Sequence, residues 1–187
     1  MAQKLRADAQ DNRDRIRAAA RQLFADHGTD VGMREIARQA GVGPATLYRR
    51  FPTRQALVYD VFADELAACR TIVERGQENP DPWQGLRFVI SELIVRNAGK
   101  HAFVDAIATT SEGSGAVSQH RRQLIAMLQD LSQQAKSRRS LRADFTTDDV
   151  ILALVAARGL SSLDASRRGI AARRLAALIL DALQTEP

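Results

Sequence analysis

Apolar residues recur along this chain at intervals of three and four, and alternating β-branched runs are scarce, so the pattern is that of amphipathic helices throughout. The first stripe, Ile16, Ala20, Leu23 and Phe24, has Asp11 ahead of it as a cap and Gly28 as its stop. Two short helices are expected next, over residues 33–40 and 44–50. In the first, Glu35 stands third, where it can reach back to the backbone N–H of Gly32, and Gly41 closes the helix. In the second, Pro44 fills a first-turn position that needs no N–H, and Pro52 ends the run. Thr53 then caps a long helix over residues 54–75, with Leu57, Val61, Leu66, Cys69 and Val73 among its apolar positions.

Residues 76–82 form a polar hinge in which Asp81, Pro82 and Gln84 read as cap, first-turn proline and third-position glutamine of a fifth helix, over residues 82–97. Gly99 and Lys100 break the chain before a shorter helix over 101–110, and residues 111–115, rich in Ser and Gly, read as a loop. Val117, Leu124, Met127, Leu128 and Leu131 mark a seventh helix that ends in the basic cluster 136–139. Thr146 and Thr147 offer caps for an eighth over 148–162, and a ninth covers 169–183. Nine helices without a convincing strand predict an all-α protein, three helices near the N-terminus followed by longer ones.

Composition narrows the class. With 187 residues, 45% of them hydrophobic and 26% charged, the chain can bury a core of its own. Charged or amide side chains interrupt each apolar run before it reaches the roughly 18 residues of a spanning helix, so no membrane segment is expected. The first 14 residues are polar and unlike a secretory signal, and Cys69 is the single cysteine, which together predict a cytoplasmic protein without disulfides. Cys69 follows Leu66 at a helical-core spacing and reads as packing rather than as a redox thiol. His27, His101 and His120 are too far apart for a zinc site. No nucleophile and base, Gly-rich phosphate loop or metal cluster stands at a working spacing, so neither enzyme activity nor a cofactor is expected.

Charge adds a direction. The formal net charge is +5, and residues 1–60 hold 11 basic against 7 acidic side chains. Between Glu35 and Asp60 there is no carboxylate, while Arg38, Arg49, Arg50 and Arg54 all fall inside, which makes this stretch a candidate polyanion-facing surface. The excess of 24 arginines over 3 lysines runs through the whole chain and reads mostly as compositional bias.

The stretch MREIARQAGVGPATLYRRF, residues 33–51, carries the chemistry. Ile36, Ala37 and Ala40 share one face, Gly41 permits a left-handed turn, and Val42 and Leu47 point back into the same small core. This is the layout of a helix-turn-helix. With Leu47 inward, a rotation of about 100° per residue turns Pro44, Ala45, Tyr48 and Arg49 outward, to positions that would lie in a DNA major groove. Thr46 and Tyr48 hydroxyls can donate to phosphates, Arg49 can reach a guanine edge, and Ala45 can touch a thymine methyl. Arg54 sits at a helix N-terminus, where backbone N–H groups also favour phosphate.

Residues 16–62 resemble the TetR family of transcriptional regulators through RIRAAARQLFADHG, MREIARQAGV, ATLYRRF and a helix beginning RQALVYDVF. The later phrase LRADFTTDDVILALVAA looks like the usual entry to that family's eighth helix. The resemblance implies a homodimer that binds a palindromic operator, usually as a repressor, and is released by a small-molecule effector. It divides the chain into a DNA-binding domain over residues 1–53 and an effector-binding and dimerisation domain over 54–187. Carried over by position, Thr46 and Tyr48 match phosphate contacts, Pro44, Ala45 and Arg49 match groove-facing residues, and Arg54 matches a phosphate-binding lysine. Gly43, Met33 and Arg50 depart from the pattern: the first two remove hydroxyls, and Arg50 supplies a charge where His or Tyr is usual.

Two further sets of residues follow. Leu152, Val155, Leu160 and Leu163, with Leu175, Leu178, Ile179 and Leu183, form stripes on the last two helices that could pack as a four-helix dimer core or face their own subunit. Phe62, Leu66, Trp83, Phe88, Phe103 and Ile107 are candidate walls of an effector pocket, with His101 or Asp105 as its polar contact. An all-helical adaptor without DNA binding, and an activator on the same scaffold, remain the alternatives.

Overall fold

The computed structural model describes residues 2–108 and 115–185. Among the described residues ten α-helices run in order: α1 (Ala2–His27), α2 (Met33–Gln39), α3 (Pro44–Arg50), α4 (Arg54–Val61), α5 (Ala63–Gln77), α6 (Pro82–Asn97), α7 (His101–Ala108), α8 (Ala116–Ser137), α9 (Thr147–Ala157) and α10 (Ala165–Leu183). A short 3-10 turn, Arg158–Ser162, joins the last two. No β-strand occurs among the described residues; one isolated antiparallel bridge pairs Leu141 with Gln184. The loop expected at 111–115 lies outside the described residues except for Gly115, which is the N-cap position of α8.

Several helix limits differ from the expectation, each for a local reason. Asp11 lies inside α1 rather than at its start. Residues 2–15 contain no Gly or Pro and are rich in good helix formers, and the Gln10 amide donates to Asp14 one turn on, at 3.0 Å. Glu35 does not return to Gly32; its carboxylate takes the Arg38 guanidinium instead. Asp81 does cap α6, accepting from the N–H groups of Trp83 (2.9 Å) and Gln84 (3.3 Å), but its own N–H donates to Asn79 Oδ1 at 3.0 Å and not to Gln84. Thr146 precedes α9 as expected, and its N–H donates to the Asp149 carboxylate at 2.7 Å. Asp164 starts α10 four residues early, accepting from the Arg167 N–H at 2.9 Å.

The single long helix expected over 54–75 is two. The backbone departs from helical values at Phe62, with φ −104° and ψ 15°. Its ring is buried between Phe24 of α1, 6.1 Å away, and Phe103 of α7, 5.6 Å away. At the same break the Arg21 guanidinium donates to the Val61 carbonyl. Ring burial and that side-chain donor together offset the disturbed turn.

One hydrophobic core runs from Ile16 and Phe24 in α1 to Leu180 in α10. Helices α5 and α6 cross at close range within it. A Cβ placed on Gly85 would lie 2.2 Å from the Gly76 carbonyl oxygen, and one on Gly76 would lie 2.2 Å from Val89 Cγ2. The expected hinge therefore begins later than Gly76, which is buried inside α5.

Candidate nucleic-acid interface

The N-terminal site is assembled by the turn between α2 and α3. Ile36, Ala37 and Ala40 are buried, Gly41 takes φ 64°, and the Val42 N–H donates to the Ala37 carbonyl at 3.0 Å. That left-handed angle is one that side chains with a Cβ rarely adopt, so glycine at 41 sets the turn. The Gly41 carbonyl in turn accepts from Arg15 Nη2 at 2.9 Å, tying the turn to α1. Leu47 is fully buried and fixes the roll of α3. Pro44, Ala45, Tyr48, Arg49 and Arg50 are then exposed, Tyr48 at 46%, while Thr46 is half-buried. Gly43 occupies the N-cap of α3 with no side-chain cap, as its missing hydroxyl requires.

Arg54 is placed differently from the rest. Its Nη1 donates to the Thr29 carbonyl at 2.7 Å and to the Val31 carbonyl, so the half-buried guanidinium holds the loop between α1 and α2. Sequence reasoning assigned it to phosphate because a helix N-terminus favours anions; it could not see two loop carbonyls in reach. Arg54→Gln should therefore lower the stability of the DNA-free protein by about 1 kcal/mol, read as a melting temperature reduced by a few degrees. An unchanged melting temperature with weakened duplex affinity would return this side chain to phosphate. Arg38 is likewise engaged, and its guanidinium holds the Glu35 carboxyl below the ordinary carboxylate range.

Ion pairs that the sequence reading missed bind this unit to the rest. Arg13 pairs with Asp60, Arg17 Nε lies 3.4 Å from the same carboxylate, and Arg21 pairs with Glu65 at 3.0 Å. The signal was present: arginines at 13, 17 and 21 repeat every fourth residue and so share one face of α1. His101 Nε2, at the start of α7, also lies 2.7 Å from the Ala25 carbonyl of α1.

Farther from that surface, an apolar cavity of about 60 Å³ lies among α5, α6, α7, α8 and α9. Of the expected walls, Phe103 and Ile107 line it. Phe62 instead stands between Phe24 and Phe103, and Leu66 is buried in the general core. Trp83 and Phe88 face other parts of the protein, under Arg87 and Arg75 at 5.8 and 5.0 Å. Neither expected polar contact lines the cavity: His101 bonds to α1, and Asp105 pairs with Arg158 at 2.6 Å. The residues missed there include Cys69, Arg121, Leu124 and Ile151. Burial pushes the Cys69 thiol up from its usual value, in keeping with a packing role. The side chains at 121, 124 and 128 follow helical spacing, so this face of α8 was legible in principle.

Of the residues expected at a dimer face, Leu152 (65%) and Leu178 (51%) are exposed, and Ile170, which the sequence reading passed over, joins them at 64%. Val155, Leu160, Leu163, Leu175 and Ile179 are half-buried. Leu183 is turned into its own subunit's core, because the last turn of α10 packs inward beside Leu141 and Leu180.

Residues 16–61 match the sequence profile of the family described as bacterial regulatory proteins, tetR family. An HTH-type transcriptional regulator from Staphylococcus aureus strain USA300 is 40% identical over 63 residues, a match that spans 33% of this chain and about a third, 34%, of that protein. A TetR transcriptional regulator of known structure from Streptomyces coelicolor is 33% identical, with 94% of this chain and 99% of that chain covered and a TM-score of 0.54. The fold is also shared with a TetR family regulator from Shewanella sp. PV-4, at 17% identity, a TM-score of 0.60, and coverage of 94% of this chain and 99% of the other.

Proposed function

This chain belongs to the TetR family of DNA-binding transcriptional regulators, and from that premise we propose that it acts as a homodimeric repressor of a palindromic operator, released by a small-molecule effector. The observation that carries the proposal is the outward set on α3, in which Tyr48 and Arg49 are exposed on a helix anchored by fully buried Leu47. In this reading Tyr48 and Thr46 donate to phosphates, Arg49 reads a base edge, Pro44 and Ala45 make apolar groove contacts, and Arg50 adds a backbone charge. The DNA-binding part extends to about residue 53, and residues 54–187 hold the effector and the dimer contact.

One recognition helix reads too few base pairs to define a site, so two copies must present it about 34 Å apart. Exposed Leu152, Ile170 and Leu178 on α9 and α10 support a symmetric contact there, because large apolar side chains at such exposure gain most from a partner surface. The cavity among α5 to α9 is the effector site of this reading. Its wall residue Phe103 touches Phe62, and Phe62 touches Phe24 of α1, so a change in the cavity has a packed route to the DNA-binding unit. An effector acts by binding better to a conformer whose paired α3 helices no longer match the half-site spacing.

The test is selection of bound duplexes from random DNA, followed by titration of the enriched duplex at several salt concentrations and sedimentation of the free protein. Expected are an inverted-repeat consensus, affinity that falls steeply with salt, and a dimer. A strictly monomeric protein that enriches no duplex at low salt overturns the proposal.

A further inference from the structure

Helix α10 turns one face away from its own subunit. Ala172, Ala176, Leu180 and Leu183 are buried, and at about 100° per residue Arg174 and Asp181 stand almost opposite them, within roughly 20° of each other. Both are exposed. Between them lie half-buried Ala177 and Leu178, which is 51% exposed, and Ile170 at 64% extends the strip by one turn.

The two charges are unmet within the subunit: neither side chain has an ion-pair partner among the described residues. Asp181 is also badly placed for its own helix. It stands in the last turn of α10, where the dipole disfavours a carboxylate, and that turn holds no basic residue. Arg142 reaches the same end, but it donates to the Ala182 carbonyl and to Asp144. Asp181 is the only acidic residue of α10, against arginines at 167, 168, 173 and 174.

We propose that two copies of the chain pair their α10 helices antiparallel, about a two-fold axis between Ala177 and Leu178, and that Arg174 of each subunit meets the partner's Asp181. This rests on the reading of the chain as a homodimer. The two charges lie equally far from that axis, so the symmetry that forms one ion pair forms the second. It also sets the partner's Leu178 over Ala177, large against small, which lets the helices approach closely. A parallel pairing would oppose each charge with its own copy, Arg174 to the partner's Arg174 and Asp181 to the partner's Asp181. A subunit of another sequence, lacking either charge, would leave the other unpaired at the seam, so the doubled pair favours an identical partner.

The test uses the full-length chain and two variants, Arg174→Asp and Asp181→Arg, each shown to fold by circular dichroism. Sedimentation at low salt reads self-association. Alone, each variant should dimerise about tenfold or more weakly than the unmodified chain, because its homodimer holds two like-charge contacts. Mixed in equal amounts, the variants should assemble about as tightly as the unmodified chain, since the heterodimer regains both ion pairs. Native mass spectrometry identifies that heterodimer. The inference is overturned if either variant self-associates as well as the unmodified chain, or if the mixture gains nothing over the separate variants. A dimeric unmodified chain with either of those results removes the register alone, whereas a monomeric unmodified chain removes the homodimer reading beneath it.

Discussion

Replacing Tyr48 and Arg49 together with alanine should reduce affinity for the selected duplex by about 100-fold, since each groove or phosphate contact contributes roughly 1–3 kcal/mol. The folded state should be almost untouched, because both side chains are exposed and the helix is held by Leu47. The two positions should separate when changed singly. Tyr48→Phe removes only a hydroxyl and should weaken binding to all duplexes by a similar factor, whereas Arg49→Ala should also change which base is preferred at one position of each half-site. Fluorescence anisotropy with the selected duplex and with single-base variants reads both effects. Wild-type affinity in the double variant would remove α3 from the DNA surface.

The largest expected loss of stability comes from a methyl group. Gly85→Ala would place a carbon 2.2 Å from the backbone oxygen of Gly76, and a main-chain atom cannot rotate away as a side chain would. Helices α5 and α6 must separate, which should cost about 3 kcal/mol and lower the melting temperature by about 6–12 °C. Alanine is the better helix former by roughly 1 kcal/mol, so propensity alone predicts the opposite sign. Thermal unfolding followed by circular dichroism decides between them. A melting temperature at or above that of the unmodified chain would show that the two helices are not in close contact at this point.

Gly85 also shows why parts of the fold were hidden in the sequence. A glycine inside a helical pattern announces that something unusual occurs there, but its reason is a neighbour nine residues earlier on another helix. The turn at Gly41, the inward Leu47 and the outward set on α3 depend only on local periodicity and were therefore legible. The break at Phe62 was not, because no proline or glycine marks it; its cause is two rings and a guanidinium contributed by α1 and α7. The same limit governs Arg54, whose partners lie 23 and 25 residues away. The apolar cavity was foreseen only in Phe103 and Ile107: aromatic residues were the signal followed, yet the cavity is lined mainly by aliphatic positions.

Helix α3 has seven residues and no side-chain cap, too short a segment to persist in water by itself. Its shape is inherited from Leu47, from the angle at Gly41 and from buried Phe51 that follows it. Holding the helix and presenting side chains to solvent thus fall to different residues of one short segment. Under the proposed DNA-binding role, a lineage can exchange Ala45, Tyr48 or Arg49 to address a new operator while the scaffold tolerates the change, so retargeting is open to single mutations that leave the subunit intact.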